Sequence, residues 1–176
     1  MISDFEKIKL LLEELNSSLP EKVHIYIMGG AVLLYHGLKP ATKDIDIVVE
    51  TEKEFNILEK TLIWCGFEKK IPTPEYLHMN LSQIFLREDF RIDIFCKKVC
   101  GGFSLSFGMM NRAEKLFSFS ALSASLCSGE DIFMFKMMTE RAGDLEDCIA
   151  LLKRGLDWQA ILLELQEQIK HSGRDV

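Results

Sequence analysis

Two aspartates separated by one residue, Asp44 and Asp46 in "KDIDIVVE", stand in a run that is otherwise apolar and β-branched. In a strand, residues i and i+2 share a face, so this pair projects together while Ile45 and Ile47 project the other way. The Cα atoms of such a pair lie about 7 Å apart. Neighbouring carboxylates withdrawn from water force one to protonate unless a cation sits with them. Oxygen ligands with open positions suit Mg²⁺, which takes a few carboxylates together with substrate phosphates. "RIDIF" supplies a third carboxylate, Asp93, again between apolar neighbours. Set on a neighbouring strand, it would reach the same face. Three carboxylates around two Mg²⁺ ions serve in-line displacement at phosphorus: one ion activates a hydroxyl, the other neutralises the leaving phosphates. Each carboxylate also has a plainer role. Asp44 and Asp46 could cap backbone or face solvent at a strand end, and Asp93 could pair with Arg91 on its own face.

Gly29-Gly30 ends the run "VHIYIM". Glycines at a strand-to-helix turn let backbone N–H groups approach a phosphate, at a helix N-terminus that favours negative charge. Neither Gly-Gly nor Asp-x-Asp is specific alone. The order is: an apolar residue, Gly-Gly, thirteen residues, Asp-apolar-Asp-apolar, and an Asp on a later strand.

Met28-Gly29-Gly30 with Asp44-Ile45-Asp46-Ile47 resembles the hG[GS]…Dh[DE]h signature (h, apolar) of the DNA polymerase β-like nucleotidyltransferase superfamily. Thr42-Lys43-Asp44-Ile45-Asp46 resembles the T-x-D-h-D run of its minimal prokaryotic members, including those of AbiE-like toxin–antitoxin systems. Lys136, Arg141 and Asp144 in "KMMTERAGDLED" look like a version of their later helical motif, with Gly143 where a basic residue often stands. The resemblance implies an α/β (α+β) nucleotidyltransferase fold: a small mixed sheet with helices on one side, over residues 1–122, followed by a C-terminal helical bundle over 123–176. It implies that Asp44, Asp46 and Asp93 are catalytic and bind Mg²⁺, with Asp93 also the general base. Gly29 and Gly30 would hold nucleotide phosphates, Thr42 and Lys43 would flank them, and Lys136 would reach a phosphate. The implied reaction moves a nucleoside monophosphate from an NTP such as ATP to an acceptor hydroxyl and releases pyrophosphate. The acceptor stays open among a protein, a small molecule and an RNA end. A non-catalytic, antitoxin-like binding module on the same fold is the first rival; a metal-dependent phosphohydrolase is the second.

The residues in the later motif have plainer roles too. Asp144 serves as a helix N-cap, Arg141 as its partner or that of Asp147, and Lys136 as a solvated lysine. Elements that must position these groups are legible from pattern. Ser3, with Glu6 three residues on, predicts a capped helix over 3–18 carrying Phe5, Ile8, Leu11, Leu12 and Leu15 inward. Strands are predicted at 23–28 and 44–50, with a short helix between them closed by Gly37. Residues 52–66 predict a helix with Phe55, Leu58, Leu62 and Trp64/Cys65 inside. Short strands follow at 67–69, 79–86, 90–95, 103–107 and 115–119. Three helices are predicted from Ser128 onward, with Met134, Met137 and Met138 in the core.

The 176 residues carry 48% apolar types and a net charge of −6. They suffice for one domain with a sizeable core. The acidic balance argues against extended nucleic-acid binding. Neither a signal peptide nor a membrane span is expected, and the five cysteines lack CxxC spacing. Reduced thiols in a cytoplasmic protein, with a homo-oligomer left open, complete the expectation.

Overall fold

A computed structural model describes residues 1–72, 80–139 and 141–172. The elements run α1 (Phe5–Ser18), β1 (Val23–Met28), α2 (Gly30–Tyr35), β2 (Ile45–Val49), α3 (Glu52–Trp64), β3 (Glu68–Lys70), β4 (Gln83–Arg87) and β5 (Phe90–Cys96). There follow β6 (Lys98–Val99), a 3-10 turn at Cys100–Gly102, β7 (Phe103–Ser104), α4 (Phe107–Arg112), β8 (Glu114–Ser118) and β9 (Leu122–Leu126). Three helices close the order: α5 (Gly129–Thr139), α6 (Ala142–Arg154) and α7 (Trp158–Ser172). Among the described residues, seven strands form one mixed sheet in the order β3-β4-β5-β2-β1-β9-β8. None of their helices is long and apolar enough to cross a membrane.

Period-two alternation gives the sheet two different faces. Ile25, Ile27, Ile45, Ile47, Ile92 and Ile94 are essentially inaccessible. They lie on the face covered by α1 and α3, whose inner stripes hold Ile8, Leu11, Leu12, Leu15, Leu58 and Leu62. The opposite face carries Met28, Asp46, Asp93 and Phe95, and there Ile132 and Phe135 of α5 close over part of it. The site is therefore built on the sheet face that the C-terminal helices cover incompletely.

Several expectations change in detail. Asp4, not Ser3, caps α1, its carboxylate accepting from the Glu6 N–H at 2.9 Å. Trp64 is 84% exposed rather than internal. Two residues beyond Leu62 is about 200° around a helix, the opposite side from the stripe. Met134 is buried, but Met137 and Met138 are exposed. Apolar residues occupy every side of α5, so periodicity could not name its buried face. The strand expected over 103–107 shrinks to Phe103–Ser104, and Ser106 caps α4 by accepting from the Met109 N–H. Strand β9 was not anticipated: "LSASL" mixes small polar with apolar residues, yet it pairs parallel to β1 and antiparallel to β8. The expected strand start at Met79, and His78, lie outside the described residues.

Candidate active site

Position comes first from register. Strands β2 and β5 run parallel with Asp46 directly opposite Asp93, and β1 sets Met28 on the other side of Asp46. The three residues thus share one face at the C-terminal end of β1. Asp44 precedes β2, where Thr42 shapes the approach. The Thr42 hydroxyl donates to the Asp44 carbonyl at 3.0 Å, and its backbone pairs with Ile2 through two 2.8 Å hydrogen bonds. Thr42 is buried; it holds the Asp44 turn by these bonds, while Lys43 beside it is exposed.

The paired glycines have a steric reason to be there. Gly29 sits at φ +67°, and a Cβ on it would collide with Oδ2 of Asp46. A Cβ on Gly30 would collide with Oγ1 of Thr42. The tight strand-to-helix turn is what lets the Asp46 carboxylate lie against the backbone at the start of α2.

An open cleft of about 260 Å³ is lined by Gly30, Thr42, Lys43, Asp44 and Asp46 on the sheet side. Lys136, Arg141, Gly143, Asp144 and Asp147 line its helical side, with Lys39 beside them. A smaller, more apolar recess under it joins Gly29 and Asp46 to Phe95, Cys100, Phe135 and Thr139.

Ion pairing in and around this cleft is uneven. Lys136 is buried, and its Nζ donates to Asp144 Oδ1 at 2.9 Å and to Asp147 Oδ2 at 2.6 Å. Lys39 also reaches Asp147, at 2.9 and 3.0 Å. Asp144 further accepts from Arg141 Nε at 3.0 Å and from the Thr139 hydroxyl. Burial would raise its carboxyl, but the Thr139 and Lys136 hydrogen bonds outweigh it and hold the group at about 2. Asp144 is consequently no N-cap: Arg141 occupies that position, and Asp144 lies in the first turn of α6 with its carboxylate turned back to α5. Arg141 pairs with Asp144 as expected while remaining half-exposed at the cleft.

Asp93 is clamped by Arg91, Nε to Oδ1 and Nη2 to Oδ2, both at 2.7 Å. Burial nevertheless raises its carboxyl above the ordinary value, against the pull of Arg91. Asp44 and Asp46 differ. Among the described residues, neither carboxylate has a hydrogen bond or an ion pair. The Asp46 carboxyl is raised well above its usual value, by burial first and then by Asp44 and Asp93, with Arg141 and Lys136 opposing. Two adjacent, half-buried acids that are left unpaired where the buried acids around them are paired fit a divalent cation. Among the described residues no three His, Cys, Asp or Glu side chains gather closely enough to cage an ion by themselves. The donor set is thus two carboxylates with positions open to a ligand's oxygens. Lys39 is a cleft cation that sequence patterns did not bring forward, while Arg141, singled out there as part of the later helical motif, also stands at the cleft; the signal for Lys39 would have been a basic residue following a helix closed by glycine.

No family model matches the chain, and no curated protein matches it in sequence. Solved structures do match in shape. ANT(2'')-Ia in complex with adenylyl-2''-tobramycin superposes with a TM-score of 0.60 at 10% identity, over 94% of this chain and 99% of that one. A proposed nucleotidyltransferase of Thermotoga maritima, TM1012, gives 0.54 at 15% identity, over 88% and 96%. The chain has the nucleotidyltransferase fold. The solution structure of ANT(2'')-Ia matches equally, at 0.60 and 11% identity over 96% and 95%. Within that fold the expected mixed sheet and C-terminal helices are both present, and Asp44, Asp46, Gly29 and Gly30 fall on one cleft or its recess.

Proposed function

We propose that this chain is a nucleotidyltransferase that moves a nucleoside monophosphate from an NTP to an acceptor hydroxyl and releases pyrophosphate. The observation that carries it is the unpaired Asp44–Asp46 couple on a cleft rimmed by Lys39, Lys43, Lys136 and Arg141. Anionic and cationic walls facing each other suit a metal-bound triphosphate, which presents both charges. Asp44 and Asp46 would hold Mg²⁺, and Asp93 would join them for a second ion only on release of its carboxylate by Arg91. When bound, the metal supplies charge neutralisation at the phosphates and a lowered pKa for the attacking hydroxyl. Arg141, half-exposed, directs its guanidinium toward phosphate oxygens. Lys136 contributes positive potential from its place between Asp144 and Asp147. Gly29 and Gly30 keep the turn open beside the carboxylates, and Asp93 takes the acceptor proton. ANT(2'')-Ia is described with an adenylylated antibiotic; for this chain the acceptor class is a small molecule, a protein side chain or an RNA end, and a toxin–antitoxin setting accords with the motif resemblance.

A second reading, a non-catalytic binding module, is favoured by one observation: Arg91 engages both oxygens of Asp93. Incubation with α-labelled NTPs, Mg²⁺ and an acceptor panel separates the two. Transfer by the wild type that Asp44→Asn/Asp46→Asn abolishes supports the enzyme. Mg²⁺-dependent nucleotide binding with no label transferred to any acceptor supports the module, and release of phosphate without transfer marks a phosphohydrolase.

A further inference from the structure

Helix α6 has one side turned inward and another that none of the described residues covers. Asp144, Asp147, Cys148 and Leu151 are buried. Leu145, Ile149 and Leu152 are 67, 43 and 44% exposed. Their spacing of four and three residues sets them in one stripe, about a third of a turn from the buried side. Lone exposed leucines are ordinary, but large apolar residues aligned on one helix face mark a contact surface. Glu146 and Lys153 stand along one flank of that stripe. Both are exposed, and among the described residues neither has an ion pair or side-chain hydrogen bond.

We propose that α6 is the seam of a homodimer in which the Leu145–Ile149–Leu152 stripe packs antiparallel on the same stripe of a second copy. A two-fold contact sets a surface against itself, so a helix lying across the axis meets its own copy reversed. Reversal about Ile149 pairs position 145 with 153 and 146 with 152, which brings Leu145 to within one residue's rise of the partner's Leu152. With the same offset it brings Glu146 to the partner's Lys153 and Lys153 to the partner's Glu146, because residues on one flank face the same flank in antiparallel pairs. A parallel two-fold pair would instead set the Glu146–Lys153 flank of one copy against the opposite flank of the other, where neither charge meets its complement. The charge order on α6 therefore selects an antiparallel second copy. The macrodipoles of the two helices add to that preference. A seam of this size buries less than the ~800 Å² per partner of a standard interface. Association is accordingly micromolar and concentration-dependent.

Sedimentation velocity on the full chain, from roughly 5 to 500 μM, spans that range. The wild type shifts from monomer to dimer across the series. Ile149→Glu weakens the dimer by at least about 10-fold, the equivalent of 1.4 kcal/mol. Glu146→Lys and Lys153→Glu each weaken it, and the double exchange Glu146→Lys/Lys153→Glu restores it. Both charged positions are on the surface, so unchanged melting temperatures separate a broken seam from a broken fold. A wild type that stays monomeric to the top of the series overturns the proposal. So does a dimer indifferent to Ile149→Glu and to the charge exchange; its seam would lie elsewhere, the exposed Trp158 and Leu162 of α7 being the next apolar surface.

Discussion

At the scale of single residues, the site rests on one close approach and one buried ion network. Gly29 holds φ +67° and ψ −144°, a region that side chains other than glycine avoid at a cost of roughly 1–3 kcal/mol. Gly29→Ala adds a collision with Asp46, for which overpacking contributes about 1–3 kcal/mol more. Urea unfolding of Gly29→Ala and of Gly29→Ala/Asp46→Ala separates the two costs: the second variant recovers only the collision. Gly37, at φ +68° with nothing within 4 Å of a built Cβ, is the control that carries backbone strain alone. The network gives a pH signature. Asp144 is held at about 2, below an unfolded aspartate near ~3.9. A depressed carboxyl contributes stability that is complete above the unfolded value and is lost as pH falls through the folded one. Asp144→Asn therefore costs about 3 kcal/mol at neutral pH, the low end for breaking a buried pair because Asp147 still faces Lys136. The difference in melting temperature from wild type shrinks between about pH 4 and pH 2. A gap that stays constant to pH 2 would show that Asp144 acts through packing alone. Losing either unpaired carboxylate acts on function rather than fold. Second-shell changes around a metal cost roughly 10–100-fold, so Asp46→Asn lowers transfer by at least about 100-fold. In the absence of metal the same change raises the melting temperature, since it removes a charge that burial and Asp44 disfavour.

Elements decide which of these residues meet. The β2–β5 register, one strand against its neighbour in parallel, is what sets Asp93 beside Asp46. The alternation in "DIDIV" and "RIDIF" made both strands and their common face legible in the sequence, because an isolated carboxylate between isoleucines has one face to occupy. The destination of Asp144 was not legible. Its position after a short gap looks like a cap, and only the packing of α5 on α6 turns it toward Lys136. Likewise β9 could not be read from "LSASL", whose place in the sheet is set by pairing on both sides rather than by its own composition. The Arg112 fork was equally hidden. It joins α4 to Asp131 of α5 at 2.6 Å and to Glu164 of α7 at 2.7 Å, three helices spread over 52 positions. Both acids are buried, with burial raising Asp131 against the pull of Arg112. Arg112→Met removes the counter-charge of two carboxylates, which keep only the neutral donors Ser128 and Gln168, and costs roughly 3–5 kcal/mol in chemical unfolding. Adding Asp131→Asn and Glu164→Gln recovers a large part of it. If the single and triple variants lose equally, the fork's contribution is packing of the arginine stem, not charge.

For the whole molecule, the decisive feature is that the cleft has two walls from distant parts of the chain. Gly30, Thr42, Lys43 and the unpaired acids form the sheet wall, and Lys136, Arg141, Gly143, Asp144 and Asp147 form the helical wall. Lys39 ties the two through Asp147, reaching from just after α2 to the middle of α6. A ligand that binds both walls slows their separation, and slower local opening is read as amide protection. Mg²⁺ with a non-hydrolysable NTP is therefore expected to protect backbone amides over 29–31, 42–46, 136–139 and 141–147 in hydrogen exchange. Amides of α1, on the opposite face of the sheet, stay unchanged. With the acids in their proposed role as metal ligands, Asp46→Asn removes the protection on both walls together. Arg141→Ala removes it chiefly from the helical wall and leaves part of the effect at 42–46. Protection confined to one wall in the wild type would mean that the nucleotide does not bridge the cleft, and the roles given to Arg141 and Lys136 would fall.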